Sequence, residues 1–385
     1  MNILMINTTD FRGGAARVMS DLVKELRKGG HTVRCLVGYK YSGDKDTEEI
    51  SSNWFWKIIE KRLSKKIRLY SRHLRSFLTS NDIDYFNENE LINHPWFKEA
   101  DVVHLHNLHG QYFNLNCLPK ISKSKPVVWT MHDMWPITSH CGTCYDCPAW
   151  NGGEHFSPGI SHYQPMLWDN SRYLFEKKQK IFTDSGFNLV TPSDWMKNLI
   201  FENKAMSKKS CDVISNGIDL KVFKKLDKNV SRRLLNLKSD GKIYIFVANK
   251  GLNDELKGGR YLKKMIKDVR YSNDLFVIVG GGKHVSDQNV KQFPYVSDKK
   301  IMANLYNAAD VYLDFSPVES YGLARAEAIA CGLKTLSLDD FSFNYKIPSY
   351  LKGISNFKEM PEVTSIFQMK EKYLKLYKRV LPDKK

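Results

Sequence analysis

The sequence predicts two α/β domains in tandem, and three observations predict it. The chain of 385 residues, 42% of them hydrophobic, exceeds the size at which one core usually stops growing. Short, β-branched, nearly continuous apolar runs come in two series with helical patterns between them, as parallel strands buried on both faces do. The polar, lysine-bearing stretch FENKAMSKKS, residues 201–210, separates the two series.

The first series reads NILMIN (2–7), TVRCLVG (32–38), VVHLHN (102–107), PVVWTMH (126–132) and NLVTPS (188–193). The second reads CDVISNG (211–217), YIFVAN (244–249), LFVIVGG (275–281), VYLDFS (311–316) and LKTLSLD (333–339). The expected domains are therefore residues 1–203 and 204–366, followed by a basic helix over about 367–385, FQMKEKYLKLYKRVLPDKK. Ligands of open α/β sheets collect beyond the carboxyl ends of the strands, so a cleft between the domains is the expected seat of chemistry.

The net charge of +17 calls for an anionic partner, and composition alone leaves nucleic acid, anionic lipid and a phosphorylated substrate open. Residues 54–78 hold eight Lys or Arg against one Glu, with apolar residues at helical spacings of three and four. Two readings of this basic amphipathic helix stand side by side. Its apolar stripe packs on its own domain, or it lies on a membrane surface. No leader-like segment precedes the first strand, no apolar run approaches the ~18 residues of a spanning helix, and the seven cysteines are mostly isolated. The expected location is the cytoplasm, with peripheral attachment at the inner membrane face if the helix binds lipid.

Residues 315–332, FSPVESYGLARAEAIACG, carry the most specific chemistry. The strand should end near Ser316, Pro317 disfavours its continuation, and a helix should run from about Ser320 to the stop at Gly332. Glu319 then sits at the helix mouth, with Glu327 two turns deeper on nearly the same face. The amides of Ser320, Tyr321, Gly322 and Leu323 would offer phosphate oxygens the positive helix end, while Glu319 takes sugar hydroxyls and Glu327 a ribose. On the residues alone, a helix-end charge and a solvated Glu explain the pattern equally well.

Other candidates are weaker. The pair Gly13 and Gly14 follows a strand and opens a helix, which favours a phosphate loop over a plain turn. His104, His106 and His109 lie close together in sequence, but the first two alternate on a strand and no acid is spaced to complete a metal site. Cys141, Cys144 and Cys147 beside His140 form a weak metal candidate, with thiols or one disulfide as the plainer alternatives. Asp82-Ile83-Asp84 lies away from any strand end and reads as loop chemistry.

Taken together and in order, these stretches resemble the landmarks of retaining glycosyltransferases with the GT-B fold, family 4 or group 1, of the capsule and exopolysaccharide branch. FSPVESYGLARAEAIACG resembles its E-x7-E signature, RGGAARV its opening glycine loop, and VVHLHNLHG and VVWTMHDMWP its paired histidine segments. VISNGIDLKVF resembles its linker, ELKGG its lysine-glycine step, and NLYNAADVYLDFS the approach to the signature.

The resemblance implies two Rossmann-like domains facing a central cleft, with the C-terminal helix crossing back to the first. It also implies transfer of a sugar, with retention, from a UDP- or GDP-linked donor to a hydroxyl of a glycan or lipid-linked acceptor. Front-face attack assisted by the leaving phosphate, domain closure against water, and no required cofactor or metal belong to the same expectation. Glu319 corresponds to the glutamate near the reacting carbon, Glu327 to the ribose ligand, Lys257 to the lysine that neutralises the departing diphosphate, and His132 to a histidine of the donor-sugar pocket. The family's arginine is missing from VANKGLNDELKGG, and Lys250 stands in for it as a point charge. After Cys331-Gly332 the sequence departs from the family pattern, so donor contacts from that loop are not carried over. A nucleotide-sugar epimerase of the same fold, a non-catalytic sugar-nucleotide-binding subunit and a basic nucleic-acid-binding protein are the alternatives.

Overall fold

The computed structural model describes residues 1–11, 13–50, 65–84, 88–142, 150–151, 154–155, 165–282, 287–340 and 360–382. The chain divides into two compact units, Met1–Ile214 with Phe367–Lys385, and Ser215–Ile366.

In the first unit, β1 (Asn2–Thr9) leads into α1 (Gly14–Lys28), followed by β2 (Thr32–Tyr39), β3 (Thr47–Glu49), α2 (Lys65–Thr79), β4 (Val102–Leu105), β5 (Val127–Thr130), β6 (Asn188–Thr191) and β7 (Cys211–Val213). The seven strands form one sheet in the order β3-β2-β1-β4-β5-β6-β7, every neighbouring pair parallel. Every residue of β4 and β5 is buried, because helices cover both faces and leave these four-residue runs no wet side. In α1, Val18, Met19, Leu22, Val23 and Leu26 recur at helical spacing and are buried against the sheet, and Arg27 and Lys28 favour its carboxyl end.

One expectation is corrected here. The CDVISNG stretch belongs to the first sheet, not the second series, because Cys211–Val213 pairs in parallel with Leu189–Thr191. The division accordingly falls at Ile214/Ser215 rather than at 203/204. The next residues, Gly217–Ile218, pair instead with Thr364–Ser365.

The second unit repeats the logic with five parallel strands. These are β8 (Ile243–Val247), β9 (Leu275–Val279), β10 (Val290–Phe293), β11 (Val311–Asp314) and β12 (Lys334–Ser337), in the order β10-β9-β8-β11-β12. Two helices frame the signature stretch, α3 (Lys299–Ala308) before β11 and α4 (Leu323–Ala330) after it. Successive residues of β8 point to opposite faces. Ile243 and Ile245 join one core cluster, and Tyr244 and Phe246 the other. Strand order reverses between β1 and β4 in one sheet and between β8 and β11 in the other, so each unit has its own crevice beyond the strand ends.

The C-terminal helix α5 (Ile366–Val380) belongs to the first unit. Its Tyr373 and Tyr377 are fully buried, and their hydroxyls reach Thr130 Oγ1 and His104 Nδ1 at 2.8 and 2.7 Å. Of the predicted basic helix, residues 54–64 lie outside those described. The described part, α2, buries Arg72 and Ser76 and exposes Ile67, Tyr70, Leu74 and Leu78. The Arg72 guanidinium can face inward because it donates to the Gly38 carbonyl at 3.1 Å and lies 5.1 Å from the Tyr39 ring centre. The apolar stripe of α2 thus points away from its own unit.

Candidate functional site

In the second unit, β11 ends at Asp314, and the backbone passes Ser316 and Glu319 before α4 begins at Leu323. The helix starts three residues later than expected. Tyr321 is buried and its hydroxyl donates to the Glu362 carbonyl, while Gly322, with φ +80°, serves as the cap. The first intrahelical bond runs from the Ala326 amide to the Gly322 carbonyl at 3.0 Å. The positive end of the helix is therefore formed by the amides from Leu323 onward, and Ser320 and Tyr321 belong to the approach rather than to the helix.

Two charge pairs meet at this turn. The Lys257 ammonium donates to Glu319 Oε1. Beneath it, Arg325 Nε lies 3.0 Å from Asp314 Oδ2, with both side chains almost wholly buried. Burial works to lower the Lys257 pKa, but Glu319, with Asp314 and Asp254 behind it, outweighs burial and holds it above the ordinary lysine value. Burial and the neighbouring Glu319 carboxylate push Asp314 up, opposed by Arg325 and Lys257. The charges thus alternate through one continuous cluster.

Lys257 is aimed by its own loop. Gly258 has φ +76°, and a Cβ there would lie 2.3 Å from the Phe315 carbonyl oxygen, so only glycine lets the lysine turn pack directly on the end of β11. Lys250, at the other end of this loop, is exposed; its backbone amide donates to Asp254 Oδ2 at 3.3 Å. Glu327 is 2% exposed, and its Oε2 accepts a hydrogen bond from the Tyr306 hydroxyl of α3 at 3.2 Å. Tyr306 thereby fixes the orientation of a carboxylate that the sequence pattern placed on a shared surface with Glu319.

In the first unit, Gly13 caps α1 with φ 92° and ψ 168°, a conformation restricted to glycine. Gly14 is the first helical residue. At the ends of β4 and β5, the histidines pair in a way the sequence does not reveal. His106 Nδ1 and His132 Nε2 are 2.8 Å apart, with their ring planes within 11° of each other. His104 Nε2 meets Thr130 Oγ1 at 2.8 Å. His109 Nε2 lies 2.8 Å from Asp133 Oδ2, and the Trp135 amide donates to Asp133 Oδ1 at 3.0 Å.

Burial lowers the pKa of His104 to about 3 and of His132 to about 4, and drives His106 well below its usual value. All three rings are neutral near pH 7. For Asp133, burial pushes upward, but His109 and the Trp135 amide outweigh it and hold the carboxyl below the usual range. Together, residues 106–109, 129–133, 135 and 136 line a concavity.

Among the described residues no group of three or more His, Cys, Asp or Glu is placed to hold a metal. Cys141 is buried, with its Sγ 3.8 Å from His140 Nε2, whereas Cys144 and Cys147 lie outside the described residues. Asp82 accepts from the Trp135 indole at 2.6 Å, and Asp84 binds Lys177 at 2.7 Å, so this triplet does loop chemistry. The residues that sequence reasoning missed are Asp314, Arg325, Tyr306 and Asp133. For Asp314 the available signal is a single charge set within the apolar run VYLDF, which needs a buried partner.

A model of the family described as Glycosyltransferase Family 4 matches residues 12–222. Among curated proteins, the putative colanic acid biosynthesis glycosyl transferase WcaC of Escherichia coli (strain K12) is 26% identical over 357 residues, 88% of this chain and 83% of that protein. Among solved structures, a glycosyltransferase from Rickettsia africae ESF-5 matches with a TM-score of 0.57 and 15% identity over 99% of each chain. HepE of Anabaena, in complex with UDP and glucose, matches with a TM-score of 0.55 and 12% identity over 100% of this chain and 90% of that one. At such identities the solved structures speak for the fold, which is GT-B.

Proposed function

The chain belongs to glycosyltransferase family 4, and from that premise we propose that it moves a sugar from a nucleotide diphospho-sugar to a hydroxyl of a glycan or lipid-linked acceptor in surface polysaccharide synthesis. The observation that carries the reading is the Lys257–Glu319 pair at the strand-order reversal of the second sheet. A cation and a carboxylate side by side suit a ligand that brings both a diphosphate and sugar hydroxyls. Lys257 would take the charge that grows on the departing diphosphate, assisted by the amides at the start of α4, and this favours the transition state over the bound donor. Glu319 would receive hydroxyls of the donor sugar, and Glu327, oriented by Tyr306, the ribose. Lys250 completes the proposed donor contacts of the second unit; for Gly13, Gly14 and His132 of the first unit a donor contact is what the family resemblance implies.

The relatives support the donor class. WcaC is named for colanic acid biosynthesis, and HepE has been solved with UDP and glucose and with UDP-glucose. Retention of configuration and catalysis without a metal follow from the resemblance and form part of the proposal.

Thermal-shift titration with UDP, GDP and ADP in EDTA tests it, comparing the unaltered protein with Glu327→Ala. A saturable shift with one nucleotide, weakened by the substitution, supports the reading and names the nucleotide. No shift with any of the three, with or without added divalent metal, would overturn it.

The outward stripe of Ile67, Tyr70, Leu74 and Leu78, on a helix that also carries Arg75 exposed, supports a second element of the proposal, contact with an anionic bilayer at the cytoplasmic face. Among the described residues no helix is long and apolar enough to cross a membrane. Co-sedimentation with anionic liposomes should be lost when Tyr70 and Leu74 are replaced by Ser; unchanged co-sedimentation excludes this surface.

A further inference from the structure

We propose that His106 is a positioning residue that holds His132 in the tautomer carrying its proton on Nδ1, so that His132 presents a fixed N–H donor to an oxygen of the bound sugar nucleotide. The second half of this statement rests on the function proposed above; the first half does not.

The argument begins with one hydrogen bond that must have a direction. His106 Nδ1 and His132 Nε2 are 2.8 Å apart, so one nitrogen carries the proton and the other accepts it. If His132 donated, His106 would be left with its own proton on Nε2. That atom is buried and has no hydrogen-bond partner among the described residues, and His106 as a whole is 1% exposed. The arrangement would leave a buried N–H without a protein acceptor, which folded proteins avoid more strictly than an unfilled lone pair. If His106 donates from Nδ1, only a lone pair is left at its Nε2. The proton of His132 must then sit on Nδ1. His132 is partly exposed, so that proton meets water or a ligand.

A third arrangement, with three protons on the two rings and the hydrogen bond kept, would make one of them an imidazolium. The surroundings oppose it. The His104 ring centre lies 4.2 Å from that of His106, tilted by 35°, both His104 nitrogens are engaged by Thr130 and Tyr377, and Asp133, the carboxylate that acts on His132, is engaged by His109. The two ring planes lie within 11° of each other with centres 5.2 Å apart, the edge-to-edge geometry of a direct N–H···N bond, and turning the His132 ring breaks that bond.

A neutral imidazole with its Nδ1 protonated is the less common tautomer in water, where Nε2–H prevails, so holding it takes a dedicated partner. What the site gains is a donor whose identity does not depend on the solvent. Such a donor suits a hydroxyl or phosphate oxygen and cannot act as a base from the same atom.

The test is nitrogen–proton correlation spectroscopy of the full chain labelled at histidine, without ligand, with the His132 signals assigned by their loss in His132→Gln. The expected result is a protonated Nδ1 and a bare Nε2 on His132. His106→Asn, whose amide can still donate from nearly the same place, should keep this pattern and most of the turnover. His106→Leu should convert His132 to the Nε2–H form and lower turnover about 100-fold with nucleotide affinity unchanged. An Nε2–H tautomer in the unaltered protein, or an Nδ1–H tautomer that persists in His106→Leu, overturns the proposal. If His106→Leu does not fold, the unaltered protein and His106→Asn still decide it. The expected tautomers without any nucleotide binding would uphold the role of His106 and sink the transferase reading alone.

Discussion

Lys257 and Glu319, 62 residues apart in the chain, neutralise one another at the end of β11. The cation proposed to meet a diphosphate is paired with the carboxylate proposed to meet the sugar. A donor must therefore exchange partners with this pair. Glu319→Gln should bind the nucleoside diphosphate at least as tightly as the unaltered protein while losing transfer, whereas Lys257→Met should weaken nucleotide binding roughly 10- to 100-fold. Isothermal titration of both variants measures the difference, and equal weakening by the two would show that the pair does not divide its work in this way.

The buried Asp314–Arg325 pair sets a stability prediction. Asp314→Ala or Arg325→Ala each leaves one uncompensated charge in the core and should cost about 3–5 kcal/mol. Replacing both by Leu and Met should recover most of that loss yet leave nucleotide binding impaired, because the turn carrying Glu319 would have lost its brace. Urea unfolding, paired with nucleotide titration, separates these effects.

Gly258→Ala should destabilise the second unit by at least about 2 kcal/mol. A non-glycine residue is strained at φ +76°, and its Cβ would stand 2.3 Å from the Phe315 carbonyl oxygen. Thermal unfolding gives the loss directly, and a neutral outcome would mean that the lysine turn relaxes.

Acid sensitivity follows from the buried histidines. His104 and His132 have pKa values lowered to about 3 and about 4, so the unfolded chain takes up protons below about pH 6.5 that the folded one refuses. Their contribution to stability is full above about pH 6.5 and falls as the pH drops toward 4, at about 1.4 kcal/mol per pH unit for each ring. Unfolding midpoints measured across this window should flatten in His104→Gln. An unchanged slope would place the acid sensitivity elsewhere.

The parts of the molecule that the sequence discloses are those encoded within a single run. β4 and β5 are legible because a strand buried on both faces must be apolar throughout, and α1 because its buried residues keep helical spacing. The letters of Cys211–Val213 describe a strand but not its neighbour, which is why its pairing with Leu189–Thr191 is not legible in the sequence. The start of α4 was misplaced since Tyr321 fits a helix by propensity but is drawn into the core by the Glu362 carbonyl. In α2 the amphipathic pattern was clear and the buried face was not, because Arg72 finds a carbonyl and an aromatic ring beneath it. The candidate site follows the same rule. Glu319, Glu327 and Lys257 belong to recognisable stretches, whereas the Asp314–Arg325 brace and the His106–His132 bond join residues whose partners only the folded sheet brings near.

The return of α5 to the first unit has a consequence for how the molecule is made. Synthesis runs from the amino end, yet Thr130 and His104 take hydrogen-bond partners from Tyr373 and Tyr377, which are made only after the whole of the second unit. The unit whose strands are translated first is therefore completed only after the second unit has been made. A chain cut after residue 366 should hold a formed second unit and a first unit whose histidine core is still open to water.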